Sequence, residues 1–302
     1  MSRPDSGDEI RLYSPAKINL GLRVHGLRPD GYHEVETWIQ QVSLFDRVWI
    51  RPAARVIRVS ADRKDVPQGR GNLAYRAASA LREWAGGRGL GAIIRLEKNI
   101  PSGAGLGGGS GNAAAVLWAL NGLWGLGISP ATLSRIAAGL GSDVPSFLAG
   151  PATVCRGRGE IVSPIKPLQR GWIVLVKPPL SLSTPKVYGW MKRNLKKRRR
   201  ASRIAPRPKR SPEFRNDLEE VVFSRYPLLR ECRDALLAAG ARRALMSGSG
   251  AALWALFGKK GEAEGAAGEF EGRRRWLVRI VRPLTSPAFA AGAERNTDNA
   301  HN

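Results

Sequence analysis

Apolar side chains fall at two spacings along the first half of the chain. Ile18, Leu20, Leu22 and Val24 alternate with Asn19, Gly21 and Arg23, and a period of two predicts a strand with one buried face. That strand opens after Pro15, places Lys17 at its beginning and follows a short strand at residues 10–13. Residues 28–31 have the composition of a turn. Residues 42–44, 48–50, 56–59 and 92–96 read as further strands, and Leu73, Ala77, Leu81 and Trp84 share one face of a helix that Gly86 and Gly87 end. Ala113, Leu117, Leu120 and Trp124 recur at helical spacing. Ser129 and Pro130 make a cap and first-turn pair for a helix carrying Leu133, Ile136, Ala137 and Leu140, with Asp143 just past its end.

The pattern changes near residue 159. Residues 172–176 form a continuous apolar strand and 181–185 a loop. Leu229, Cys232, Leu236 and Ala239 mark a helix, followed by a strand (244–246), a Gly-Ser turn (247–250), a strand (252–257), a helix (262–271) and a strand (276–281). Helices alternating with antiparallel strands predict an α+β sandwich of ferredoxin-like type. The expected division is a first domain at 1–158 and a second at 159–302, with a basic insertion at about 192–210. The tail from Thr285 is rich in Ala and Asn and reads as frayed.

With 302 residues, 43% of them hydrophobic, there is enough apolar surface for two modest cores. The formal net charge of +24 points towards polyanions. Eleven Lys and Arg, and no acid, lie within 192–210, however, so about half of the excess belongs to one segment too poor in apolar residues to fold by itself. The remainder either draws anionic substrates or is a solvated surface. Cys155 and Cys232 stand apart, as buried or free thiols in a reducing cytosol would. Three histidines without a Cys/His cluster exclude a structural zinc site. The polar, acidic first nine residues are unlike a signal peptide. The longest apolar stretch, 113–128, is interrupted by Asn121, Gly122, Gly125 and Gly127 and does not span a bilayer. The expected location is the cytoplasm, as a monomer or weak homodimer.

The candidate chemistry centres on residues 101–114, with six glycines between Gly103 and Gly111. A glycine-rich turn between a strand and a helix lets backbone amides approach an anion, and the first N–H groups of the helix have no internal partner. The Walker A spacing is missing, and no second strand ending in an acid follows, so neither a P-loop nor a dinucleotide fold fits.

The run Pro101-x-Gly103-x-Gly105-Leu106-Gly107-Gly108-Gly109-Ser110 resembles the ATP-binding signature of the GHMP kinases, the galactokinase, homoserine kinase and mevalonate kinase group. Ser14-Pro15-Ala16-Lys17-Ile18-Asn19-Leu20, Arg28-Pro29-Asp30-Gly31-Tyr32-His33-Glu34 and Gly141-Ser142-Asp143-Val144-Pro145-Ser146-Phe147 resemble, more narrowly, the 4-diphosphocytidyl-2-C-methyl-D-erythritol kinase family. The resemblance runs from about Tyr13 to Leu284. It implies an N-terminal domain of ribosomal S5 domain 2-like fold, a ferredoxin-like C-terminal domain and an active site in the cleft between them. It also implies a transferase of the non-mevalonate isoprenoid pathway, in which ATP and Mg²⁺ phosphorylate the C2 hydroxyl of a cytidine diphosphate ester of methylerythritol. Neither a membrane nor a nucleic acid is required.

Residue by residue, the resemblance assigns Asp143 as the base that deprotonates the acceptor hydroxyl and Lys17 as its neighbour. The plain alternatives are a helix cap and a solvated turn lysine. ATP falls to Pro101, Gly103, Gly105, Leu106, Gly107, Gly108, Gly109 and Ser110, with Lys98, Asn72 and Leu73 lining the adenine pocket. Ser110 is the candidate Mg²⁺ ligand or, equally, a helix cap. Gly111 replaces the second serine usual in the motif. Tyr32 and His33 match a base-recognition pair, Tyr188 an aromatic stacking on the base's other face, and Thr184 lies four residues before it. Asn19 matches a contact to the polyol. Residues 247–250 match a third motif supporting the phosphate-side pocket, with an ordinary hairpin turn as the alternative. Two other readings stay open: another GHMP small-molecule kinase of homoserine or mevalonate type, and a basic nucleic-acid-binding protein.

Overall fold

The computed structural model describes residues 9–87, 89–198, 213–291 and 294–295. Its spine is an antiparallel pair, β1 (Ile10–Leu27) and β2 (His33–Ala54). β1 is one strand rather than two. Pro15 is accommodated by a register shift, Pro15 pairing with Phe45 and Ala16 with Val42, as prolines in strands require. Lys17 therefore lies mid-strand, not at a strand start. Ser43, left over by the shift, bonds instead to the backbone at Arg282.

β3 (Ile57–Ala61), α1 (Leu73–Trp84) and β4 (Leu90–Glu97) follow, with β3 parallel to β4 and α1 as their crossover. The buried face of α1 is Ala74, Ala77, Ala78 and Leu81, rotated from the expected one, and Trp84 is 52% exposed. Small alanines win that face because α1 lies close against α2 (Gly108–Leu123), whose Ala113, Ala114 and Ala115 are buried too. Ser129 caps α3 (Pro130–Leu140) as expected, its hydroxyl accepting from the Thr132 N–H at 3.3 Å. α4 (Val144–Ala149) leads into the hairpin β5 (Ala152–Gly157) and β6 (Ile161–Pro164), which is too short for periodicity to reveal. β5 pairs with the first half of β2 and β4 with its second half.

The second sheet is built from β7 (Trp172–Lys177), β8 (Arg243–Met246), β9 (Leu253–Phe257) and β10 (Leu277–Val281), all antiparallel in the order β10-β7-β9-β8. α5 (Thr184–Arg198), α6 (Glu219–Phe223) and α7 (Pro227–Ala238) connect β7 to β8, and α8 (Lys260–Gly268) connects β9 to β10. This is the ferredoxin-like order. α5 begins inside the expected 181–185 loop, with Pro185 tolerated in its first turn. The basic segment's first residues continue α5, and 199–212 lie outside the described residues. Of the tail expected to fray, α9 (Ala288–Ala291) buries Phe289 beside Trp118, and β11 (Glu294–Arg295) pairs with β1.

One face of the second sheet holds α7 and α8. The other, with Ile173, Leu175, Leu245 and Trp254, packs on Ile18, Leu20, Trp38 and Val42 of β1 and β2. The two sheets thus share an apolar layer, and the cleft lies at its edge. No helix among the described residues is long and apolar enough to cross a membrane.

Candidate active site

The glycine-rich turn connects β4 to α2 across the edge of that layer. The helix begins inside the run, capped by Gly107 at φ 72°. Ser110 is therefore the third helical residue, and the cap reading of it is overturned. No side chain bonds the first turn, which leaves its N–H groups aimed outwards for an anion. The turn is held from both sheets. Lys17 N–H donates to Leu106 O at 2.9 Å, Ser247 Oγ to Gly105 O at 2.9 Å and Ala252 N–H to Ala104 O at 3.1 Å. Residues 247–250 are thus both a hairpin turn and a support of the loop.

Lys17 is 3% exposed, and its ammonium sits 3.4 Å from the Asp143 carboxylate, which is 39% exposed. Asp143 precedes α4 but its carboxylate makes no capping bond; only its backbone carbonyl is used, by Ser146 Oγ at 2.7 Å. The cap reading fails here also, and so does the solvated-lysine reading of Lys17. Lys17 Nζ donates to Asn19 Oδ1 at 2.6 Å, Asn19 Nδ2 to Thr37 Oγ1 at 2.8 Å, and Thr37 Oγ1 to Gly21 O at 2.8 Å. Asn19, expected at the polyol, faces the same cavity while serving as the clamp that fixes Lys17.

Two chambers meet at Asp143, and Lys17 faces the first of them. A cavity of about 460 Å³ is walled by the loop together with Val66, Pro67, Asn72, Leu73 and Ile100. A second of about 630 Å³ is walled by Tyr32, His33, Ser142, Pro185 and Tyr188. Val35, Ser110, Asp143, Arg158, Thr184 and Tyr188 line both. Tyr32 is on the rim, 55% exposed, with the Arg158 guanidinium 4.9 Å from its ring centroid. His33 is buried, its ring 5.1 Å from that of Tyr188. Burial pushes the Tyr188 hydroxyl far above its ordinary pKa, with the Asp143 charge adding to the effect, so it stays a neutral hydrogen-bonding group. Thr184 Oγ1 lies 2.8 Å from Ser249 Oγ.

Of the expected adenine residues, Asn72 caps α1, accepting from Ala74 N–H at 2.9 Å and donating to Pro67 O at 2.7 Å. Leu73 lines the first chamber. Lys98 reaches its wall, but the ammonium points inward, donating to Asn112 Oδ1 at 2.7 Å and to the Asp46 carboxylate. Burial pulls this ammonium below its ordinary pKa, opposed by Asp46. Cys155 and Cys232 are buried free thiols; burial holds Cys155 up at about 12, which makes it inert. Among the described residues no three His, Cys, Asp or Glu gather to hold a metal.

Sequence reasoning missed Arg158 and Asp46. Arg158 follows the undetected β5, in a turn between Gly157 and Gly159. Asp46 did carry a signal, a lone acid inside a run otherwise reading as strand.

Comparison with known proteins adds two matches to family models: GHMP kinases N terminal domain at residues 72–151 and GHMP kinases C terminal at 193–273. A 4-diphosphocytidyl-2-C-methyl-D-erythritol kinase of Geobacter sp. (strain M21) is 41% identical, over 91% of this chain and 99% of that protein. One from Pelotomaculum thermopropionicum is 45% identical, over 82% and 88%. A crystal structure of a 4-(cytidine 5'-diphospho)-2C-methyl-D-erythritol kinase superposes with TM-score 0.73 at 37% identity, covering 90% of this chain and 98% of that one. A homoserine kinase from Cytophaga hutchinsonii superposes at 0.70 with 17% identity, a likeness of fold.

Proposed function

The chain belongs to the 4-diphosphocytidyl-2-C-methyl-D-erythritol kinase family of GHMP kinases, and from that premise we propose how its residues transfer the γ-phosphoryl group of ATP to the C2 hydroxyl of 4-diphosphocytidyl-2-C-methyl-D-erythritol, giving the 2-phosphate and ADP. The observation that carries the reading is the Lys17–Asp143 pair, whose carboxylate lines both chambers together with Ser110, at the start of α2 that no side chain bonds. The nucleotide occupies the first chamber, its phosphates on the loop amides. The cytidyl end of the acceptor occupies the second.

An alcohol is a poor nucleophile until a base takes its proton in the transition state. Asp143 accepts that proton as the acceptor oxygen bonds to the γ-phosphorus and the bond to ADP breaks. Lys17, 3.4 Å from that carboxylate, offsets charge on the transferring group. Asn19 and Thr37 hold Lys17 at that point. Ser110 and Asp143 offer one hydroxyl and one carboxylate, a donor set that fits Mg²⁺ carried in on phosphates. Ser110 would hold the ion, which supplies charge neutralisation to the phosphates.

Against a homoserine or mevalonate kinase stands the second chamber, whose Tyr32, His33 and Tyr188 offer aromatic faces that an acceptor without a base does not use. The deciding assay measures ADP released with Mg-ATP and the cytidyl acceptor, with homoserine and mevalonate as controls. ADP from the controls at an equal rate overturns the assignment.

Two predictions follow from the acceptor chamber. Tyr32→Ala removes one stacking face and should weaken acceptor binding by about 1–3 kcal/mol, leaving ATP affinity unchanged; a loss confined to ATP would mean the chambers are exchanged. Arg158→Ala tests the guanidinium between Tyr32 and the reacting end. A charge-assisted bond to the acceptor's diphosphate is worth about 1.5–3 kcal/mol, so the acceptor KM should rise about tenfold or more while the ATP KM stays within about twofold. An unchanged acceptor KM removes Arg158 from the site.

A further inference from the structure

Beneath the glycine-rich turn lies a buried cluster that the transfer reaction does not use directly. Asp46, on β2, is 0% exposed. One carboxylate oxygen accepts from the N–H groups of Asn99 and Ile100, each at 2.8 Å. The other accepts from Asn112 Nδ2 at 3.0 Å and from the Lys98 ammonium. Lys98 Nζ also donates to Asn112 Oδ1 at 2.7 Å. The turn leaves β4 through Asn99 and Ile100 and enters α2, where Asn112 is the fifth residue. One carboxylate therefore holds the backbone just before the turn and the helix just after it. Gly108, the first residue of α2, rests on the same group: a Cβ there would lie 3.3 Å from Asp46 Oδ2 and 3.0 Å from Ile100 Cγ2.

We infer that Asp46, Lys98 and Asn112 form one positioning unit that sets the gap between the two ends of the glycine-rich turn, and that Lys98 acts on the nucleotide through this unit instead of by touching the adenine. The inference rests on reading that turn as the ATP site. A phosphate cradle of backbone amides works only if several N–H groups converge within a fraction of an ångström. Glycines supply the path but no stiffness, so the stiffness has to come from the ends. A buried carboxylate with four donors provides it. Lys98 supplies its countercharge, since an isolated charge at this depth would not be tolerated.

ATP binding by calorimetry on the purified chain is the test, alongside KM for each substrate and melting temperature. Asp46→Asn keeps the shape and removes the charge. It should weaken ATP binding about tenfold or more, as loss of a supporting residue does, and leave the acceptor KM within about twofold. Lys98→Met should do likewise, and the double variant should be no worse than the poorer single, because partners in one unit are not additive. Losses that multiply in the double variant would mean that Lys98 contacts the nucleotide independently. ATP binding within twofold of wild type in folded Asp46→Asn, or equal losses for both substrates, would also overturn the inference. If Asp46→Asn does not fold, Asn112→Ser removes only the helix arm and should weaken ATP binding about threefold; no change there is equally fatal. Wild-type chain that fails to bind ATP would instead sink the functional reading, a different result from variants that bind as wild type does.

Discussion

Asp143→Asn is expected to lower turnover by about 10²–10⁴-fold, the usual worth of a positioned acid–base group, while both substrates bind almost as before. The substitution keeps size and hydrogen-bonding capacity but cannot accept the hydroxyl proton, a need that arises only in the transition state. Stability should hardly change, because the carboxylate makes no capping bond to α4 and is partly exposed. Lys17 loses its charged neighbour at 3.4 Å but keeps Asn19. Turnover, the two affinities and the melting temperature, measured on one preparation, separate a chemical role from a structural one. Near-normal turnover would remove Asp143 from the mechanism.

Gly105→Ala should cost stability and ATP binding together. The residue has φ 75°, and an added Cβ would lie 2.0 Å from Ser247 O and 3.0 Å from Ser247 C. The positive φ alone costs roughly 1 kcal/mol in a residue with a side chain. The overlap is with backbone, so no rotamer relieves it, and overpacking of this kind typically adds about 1–3 kcal/mol. The turn must move off the second sheet and take its Ala104 and Gly105 bonds with it. ATP affinity should fall about tenfold or more, with a melting point several degrees lower. Gly109→Ala is the control for stability, since nothing lies within 4 Å of its Cβ position and its φ is not positive. An unchanged melting point and ATP affinity in Gly105→Ala would show that the turn is not seated on Ser247.

The alternating runs and the glycine-rich turn were legible in the sequence because each is a local pattern. So was the ferredoxin-like order of the second sheet, where strands and helices are short and cleanly separated. What escaped depends on partners far along the chain. Pro15 breaks the pattern without ending β1, since the cost is absorbed by two bulged residues of β2. The buried face of α1 is set by its close approach to α2, so alanines displace Leu73 and Trp84 from it. Phe289 reads as part of a polar tail until Trp118 is placed beside it. In the site, Lys17 and Asp143 stand out by motif, but their 3.4 Å separation is a product of the fold. Asn112 carries no local signal of its own, and only the fold shows it bridging to Asp46.

The apolar layer shared by the two sheets has a kinetic consequence. Trp254, wholly buried, donates its indole N–H to Asn19 O at 3.0 Å, so the second sheet is fastened to the strand that carries Lys17. A clamshell movement would expose Ile18, Trp38, Ile173 and Trp254 at once, at roughly 1.5–3 kcal/mol for each large side chain. The frame accordingly resists such a motion, and the two chambers stay joined along the wall formed by Val35, Ser110, Asp143, Arg158, Thr184 and Tyr188. Such an architecture leaves any opening of the chambers to local breathing of the loops around them, not to a hinge between the sheets.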